Sequence, residues 1–339
     1  MMKKLFLLSI CFSCLLSFAQ KIPCKANWSK GMEFTYNIVR QQLMKIDMGI
    51  LGEGVGEEAF ADLPDDDTLT YTLHLKVLDA NADGYRLEAK FDHKFDSVVK
   101  VNRKTRIPFP DYEKMHTLIY TTNTLGELKE IENIEEIATA YTSMLKTNIM
   151  LELAAAKEEE RAIVEEEGND GYVEVEVEDD STTIAIAELL FEMTKEKYLN
   201  SDFLFQEIYN ELFLIHSLYG HTVSVKKATS YQRNTAKSQI LDFNTANDVL
   251  LTVKDLDAER KVCHLQESSK LNSKSFKNMS KELSKEVAEM MNIINEAEYE
   301  YDYGTGVTQK VSSVQGVDMN YEGMHMMSIR MLTNITLEK

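Results

Sequence analysis

The sequence predicts an α+β protein: a curved antiparallel sheet built from both ends of the chain, with a helical middle segment packed on it. Three observations carry this. Leu69, Tyr71, Leu73, Leu75 and Val77 occupy five consecutive odd positions, with polar residues between them; that is the two-residue period of a strand with one wet face. From Asn133 the apolar spacing lengthens to that of a helix, and helical stretches recur as far as Tyr219. Past Gly220 the two-residue period returns.

The chain opens on Met1-Met2-Lys3-Lys4, a short positive segment, followed by a nearly uninterrupted apolar run to Phe18. Ser17 and Ala19 then place small residues at −3 and −1 of a signal-peptidase site. Cleavage after Ala19 makes residues 1–19 a signal peptide and residues 20–339 one exported, β-rich domain of the periplasm or cell surface. The apolar run is shorter than the ~20 residues that span a bilayer as a helix. No later stretch is apolar enough, so no transmembrane segment is expected. Cys14 offers a competing lipoprotein reading, but the apolar run continues past it and Leu is missing at −3.

Phe34, Tyr36 and Ile38 mark the first strand. Residues 49–67, with four glycines and Asp65-Asp66-Asp67, read as a loop before the alternating strand at 69–77. Asn81-Ala82-Asp83-Gly84 is a turn, and Tyr85, Leu87, Ala89 and Phe91 return with the same period, completing a hairpin. A strand at 117–122 follows, then a turn ending at Gly126 and a short extended segment to Ile131. Asn133 and Glu136 have the spacing of a helix cap and its N3 partner. Helix is expected to about Glu167, again over 184–199, and from Asp202 to Tyr219, where Leu204, Ile208, Leu212 and Ile215 form one stripe and Gly220 terminates it. The helical insertion thus spans about 133–219, interrupted by a Val/Glu alternation at 172–180. Strands resume around Val223, Ile240 and Val249. A helix is expected within 275–294, bearing Leu283, Val287, Met290, Met291 and Ile294, and final strands follow from Tyr299.

The formal charge of −19 grows more negative when Lys3 and Lys4 leave with the signal. Such a chain repels nucleic acid and anionic membrane surfaces. Of four cysteines only Cys24 and Cys263 survive cleavage. An exported chain permits them to pair, and a loop that long contributes about 5 kcal/mol in the chain-entropy model; two separate buried thiols are the other reading.

Catalytic motifs do not stand out. There is no Gly-x-Ser-x-Gly and no His-Glu-x-x-His, and His216 and His221 are five apart, off a common helical face. Gly304-Thr305-Gly306 reads as a hairpin turn. Asp65-Asp66-Asp67 and Glu158-Glu159-Glu160 lack the ligand spacing of a calcium loop. Met319, Met324, Met326, Met327 and Met331, with His325, are either a soft set for copper(I) or the interior of a terminal strand pair. The strand-pair reading is preferred, so neither metal nor cofactor is expected. Thr68, Ser97 and Ser181 each follow Asp in a short bacterial O-glycosylation pattern.

Trp28-Ser29-Lys30-Gly31-Met32-Glu33-Phe34-Thr35-Tyr36 resembles the opening strand of a group of uncharacterised exported bacterial proteins. Tyr120 through Gly126-Glu127 to Asn133-Ile134-Glu135-Glu136-Ile137 is similar to their later segments, as are Gly304-Thr305-Gly306-Val307 and Thr333-Asn334-Ile335-Thr336-Leu337. That group in turn resembles, in outline, periplasmic lipoprotein carriers of LolA type. The resemblance implies an open, half-barrel-like sheet with helices against it and a hydrophobic ligand; it implies no catalytic residues. The expectation is a non-enzymatic envelope protein binding a hydrophobic small molecule. Tyr71, Leu73, Leu75, Tyr85, Leu87 and Phe91 are then the concave-face candidates, with plain core packing as their other role. The rival readings are docking of another envelope protein on an acidic helical face, and a hydrolase whose residues are dispersed.

Overall fold

The computed structural model describes residues 20–46, 67–95, 112–144, 197–235, 245–282, 289–321 and 324–338. The signal segment, nearly all of the 49–67 loop, the Val/Glu alternation, most of the 184–199 helix, Ser97 and Ser181 lie outside these residues.

The protein is mostly antiparallel sheet, one large curved sheet with a few helices. The strands are β1 (Lys21–Pro23), β2 (Glu33–Ile46), β3 (Asp67–Asn81), β4 (Gly84–Asp92), β5 (Thr117–Thr122), β6 (Leu128–Ile131), β7 (Thr222–Ser224), β8 (Thr229–Thr235), β9 (Thr245–Asp257), β10 (Val262–Leu271), β11 (Met291–Asp302), β12 (Val307–Tyr321) and β13 (Met324–Leu337). Eleven of them form one sheet, ordered β6-β5-β4-β3-β2-β13-β12-β11-β10-β9-β8, and β1 pairs separately with β7. Both chain ends therefore meet at the centre of the sheet. Ile38 of β2 stands opposite Ile335 of β13, and both are fully buried. From that seam two meanders grow outward, each strand pairing antiparallel with its neighbour in sequence; short connections such as Asn81 to Gly84 and Asp302 to Val307 leave no other pairing open, while β2–β3, β4–β5 and β10–β11 are joined by longer segments.

Local chemistry explains the turns. Asn81 Oδ1 accepts from the Asp83 amide at 2.8 Å, and Gly84 takes φ +138° with the Thr122 carbonyl where a Cβ would stand. Along β3 and β4 the odd-numbered apolar residues face inward, so Tyr71, Leu73, Leu75, Val77, Leu87, Ala89 and Phe91 are all buried.

A few short helices among the described residues, the helical layer, touch this face where Glu211 meets Tyr71 and Lys94 and where His216 meets Tyr120. The layer comprises α1 (residues 134–144), α2 (Ser201–Phe203), a π-helical turn (Leu204–Ile208) and α3 (Asn210–His216). The expected stripe Leu204, Ile208, Leu212 and Ile215 is buried against the sheet, and Gly220 has φ +84°. A last helix, α4 (Ser273–Glu282), follows β10.

Two local expectations are corrected. Asn133 does not cap its helix with its side chain: Oδ1 accepts from the Ile119 amide at 2.9 Å, and Nδ2 donates to the Thr117 carbonyl at 2.9 Å. It ties α1 to β5 by imitating a strand partner. Met291 and Ile294 lie in β11 rather than a helix, opposite Met319 and Gly316. The two-residue period of Ala297, Tyr299 and Tyr301 against Glu296, Glu298 and Glu300 extends backward and overrides the helical spacing.

Residues 20–32 cross one end of the curved sheet as a strap. The Cys24 amide donates to the His221 carbonyl and the Ala26 amide to the Leu125 carbonyl, both at 2.8 Å. The Tyr85 hydroxyl reaches the Ala26 carbonyl, and the Trp28 indole N–H donates to the Gly306 carbonyl at 3.1 Å. The strap thereby joins the β4–β5 arm of the sheet to the β11–β12 turn.

Candidate functional site

A cleft of about 190 Å³ opens where the helical layer meets β8. Phe205 and Gln206 come from the π-helical turn, whose wider spacing is a local departure that often accompanies functional sites. Phe213, His216, Ser217, Tyr219 and His221 come from α3 and the turn after it, Glu127 and Leu128 from the start of β6, and Arg233 from β8. Asp202 stands exposed at the rim.

The cleft is organised around fixed charges. Arg233 donates from Nη1 to Glu267 Oε1 at 2.6 Å and from Nη2 to Oε2 at 2.8 Å, a bidentate pair, and from Nη2 to the Tyr231 hydroxyl at 2.6 Å. Its guanidinium lies 5.2 Å from the Phe213 ring centroid. Burial opposes this charge, but Glu267 outweighs it and holds Arg233 above the ordinary arginine range. The His221 ring stacks on Tyr231 at 3.8 Å, and burial together with Arg233 pushes its pKa down.

His216 forms the floor. Its Nδ1 lies 2.7 Å from the Gly126 carbonyl, which only accepts, so Nδ1 carries the proton. Nε2 must then accept from the Tyr120 hydroxyl at 3.0 Å. Burial drives the pKa down to about 4. Both nitrogens are thus engaged inside the protein, and the ring is neutral at neutral pH.

A second polar cluster sits deeper. Lys94 Nζ donates to Glu211 Oε2 and to the Ile208 carbonyl, both at 2.6 Å, and Tyr71 donates to Glu211 Oε1. The rings of Phe91 and Tyr209 surround the ammonium at 4.6 and 5.1 Å. Burial raises the Glu211 pKa, but Lys94 and Tyr71 outweigh it and hold the carboxyl below its usual range. Burial also lowers the Lys94 pKa, opposed by Glu211.

The six concave-face candidates occupy the core. Tyr71, Leu73, Leu75, Leu87 and Phe91 are buried, Tyr85 packs partly buried against Trp28, and none lines the cleft. A second groove of about 210 Å³ on the sheet, between Gln266, Glu298, Ser312 and Asn334, does not touch them either. Cys24 and Cys263 are both buried free thiols. Thr68 is exposed at the start of β3. Met319 and Met327 are cross-strand partners in the β12–β13 hairpin, as the strand-pair reading requires.

Arg233, Glu267, Lys94 and Glu211 belong to no recognisable sequence motif. A signal existed for two of them: Glu267 occupies an inward position between Leu265 and Ser269, and Glu211 abuts the apolar stripe of α3. A charge at a core position demands a partner. Among the described residues no group of three or more His, Cys, Asp or Glu is placed to hold a metal ion, and no helix is long and apolar enough to cross a membrane. The chain matches no protein-family model and no curated protein sequence.

Proposed function

We propose that the chain is an exported, non-enzymatic binding protein of the cell envelope, and that its ligand sits in the cleft between the helical layer and β8. The observation carrying this is the composition of the cleft: the aromatic rings of Phe205, Phe213 and Tyr219 line it together with Glu127, His221 and Arg233, whose guanidinium packs on Phe213 and is paired by Glu267. Apolar walls with a few converging polar groups are the usual make-up of a ligand site. At about 190 Å³ the cleft is smaller than the ~300–1,000 Å³ sites that enclose drug-sized ligands, which favours a small polar–aromatic molecule over an extended acyl chain. The non-enzymatic reading is supported by how the buried titratable groups are used. Both nitrogens of His216 and both carboxylate oxygens of Glu211 and Glu267 hold partners within the protein.

The test is native mass spectrometry, with solvent extraction, of protein purified from its own host's envelope, beside a Leu128→Trp variant that fills the cleft. The expected result is a small molecule bound near one per chain and absent from the variant. Ligand-free wild-type protein, or a molecule retained equally by the variant, overturns the cleft as its site.

A further inference from the structure

The fold brings together two cysteines that lie far apart in the sequence. Cys24 is in the strap, where its amide donates to the His221 carbonyl and its carbonyl accepts from the Gly220 amide. Cys263 is in β10, directly opposite Tyr301 of β11. The same Tyr301 holds the strap by hydrogen bonds to both backbone groups of Lys25, the residue after Cys24. Opposed residues in neighbouring strands point to the same face, so Cys263 projects from the sheet beside the tyrosine that anchors Cys24's neighbour. Both side chains are buried, at 1% and 0% exposure.

We propose that Cys24 and Cys263 form an oxidative cross-linking site, a single disulfide that fastens the N-terminal strap to β10. Each thiol gives up its proton, and the pair gives up two electrons to an incoming disulfide, from a dithiol–disulfide oxidoreductase or a small-molecule disulfide. The incoming S–S bond breaks to two thiols as the Cys24–Cys263 bond forms. Burial and the proximity of Cys263 raise the Cys24 thiol to about 12, and burial with Asp255 raises Cys263 to about 11. Thiolate is the attacking species, so the exchange proceeds before the strap is seated. Once made, the bond holds residues 220 and 221 through the strap's hydrogen bonds, and His221 with them at the cleft rim.

This inference rests on export, and the closing experiment separates the two. Mature protein from the host envelope is unfolded, alkylated without reductant and weighed intact, then mapped by proteolysis. The expected spectrum shows a chain beginning at Gln20, no alkylation, the mass of two hydrogens missing, and a peptide joining Cys24 to Cys263. Two alkylated thiols on a chain beginning at Gln20 overturn the cross-link and leave export standing. A chain still beginning at Met1 in the cytoplasm overturns export instead. In that case refolding in a glutathione redox buffer decides the cross-link: the linked peptide sustains it, and glutathione adducts or free thiols overturn it. As a second readout, reductant lowers the wild-type urea midpoint to that of Cys24→Ser and leaves that variant unmoved; a wild-type midpoint indifferent to reductant counts equally against the bond.

Discussion

The Tyr301 hydroxyl accepts from the Lys25 amide and donates to the Lys25 carbonyl, both at 2.8 Å, across a separation of 276 residues. One side chain therefore satisfies both polar groups of a strap residue that has no strand partner at that point. Tyr301→Phe keeps the ring and strands both groups. Lys25 is exposed and both bonds are only part-buried, so each is worth roughly 0.5–1.5 kcal/mol, and a urea midpoint lowered by that equivalent is expected, with faster amide exchange confined to residues 24–26. Exchange rising uniformly over the sheet would show that Tyr301 acts through general packing instead.

Gly306 closes the same strap from the other side. It has φ +71°, and a Cβ there would stand 2.5 Å from the Lys25 carbonyl oxygen and 2.7 Å from the Asn27 amide. Neither backbone atom can yield without moving the strap, and the left-handed conformation itself is strained for any L side chain. Gly306→Ala is expected to destabilise by roughly 1–3 kcal/mol. A denaturation midpoint equal to wild type would mean the strap shifts freely.

Lys94 and Glu211 are 6% and 1% exposed at their side chains. Removing one member of such a pair leaves an uncompensated buried charge, at a cost of about 3–5 kcal/mol. Lys94→Met and Glu211→Leu are each expected to lose that much in chemical denaturation. The double variant should recover a large part of it, because no orphan charge remains. Additive losses would show that the pair contributes through the aromatic box of Phe91 and Tyr209 rather than through charge pairing.

His216 makes stability depend on mild acid. Its folded pKa is lowered from 6.5 to about 4 by burial, so between those values the unfolded chain binds the extra proton. Stability is then fully present above pH ~6.5 and declines as pH falls toward 4, by on the order of 3 kcal/mol. Urea midpoints measured across pH 4–7 should fall on the acid side, and His216→Gln should flatten that slope. An unchanged slope in the variant would assign the acid sensitivity to other groups.

The sheet was legible where one face is buried and the other wet, because strict alternation has a single structural meaning. Tyr71 to Val77 and Tyr85 to Phe91 declared both their strands and their inward sides. Met291 to Ile294 misled because a short apolar run fits either period, and only the register with β12 decides. The cleft was largely illegible. Its wall joins residues from β6, the helical layer and β8, and no local spacing encodes that meeting. Arg233 and Glu267 lie 34 residues apart and look like any two charges in polar strands until Glu267 is seen to face inward.

The Arg233–Glu267 pair allows a test of geometry apart from charge. Lysine in place of arginine keeps the positive charge but loses the planar fork, so only one of the two carboxylate oxygens is directly served. It also withdraws the flat guanidinium from the Phe213 ring and one donor from the Tyr231 hydroxyl. Arg233→Lys is therefore expected to lose about 1.5–3 kcal/mol, the range for hydrogen bonds to charged groups. His221 stacks on Tyr231, whose hydroxyl loses its Arg233 donor, and is held down in part by a charge that lysine recentres; its titration should shift in the same variant. Proton NMR of the histidine ring reads that shift directly. A variant as stable as wild type, with an unmoved His221 titration, would show that charge alone holds this wall of the cleft.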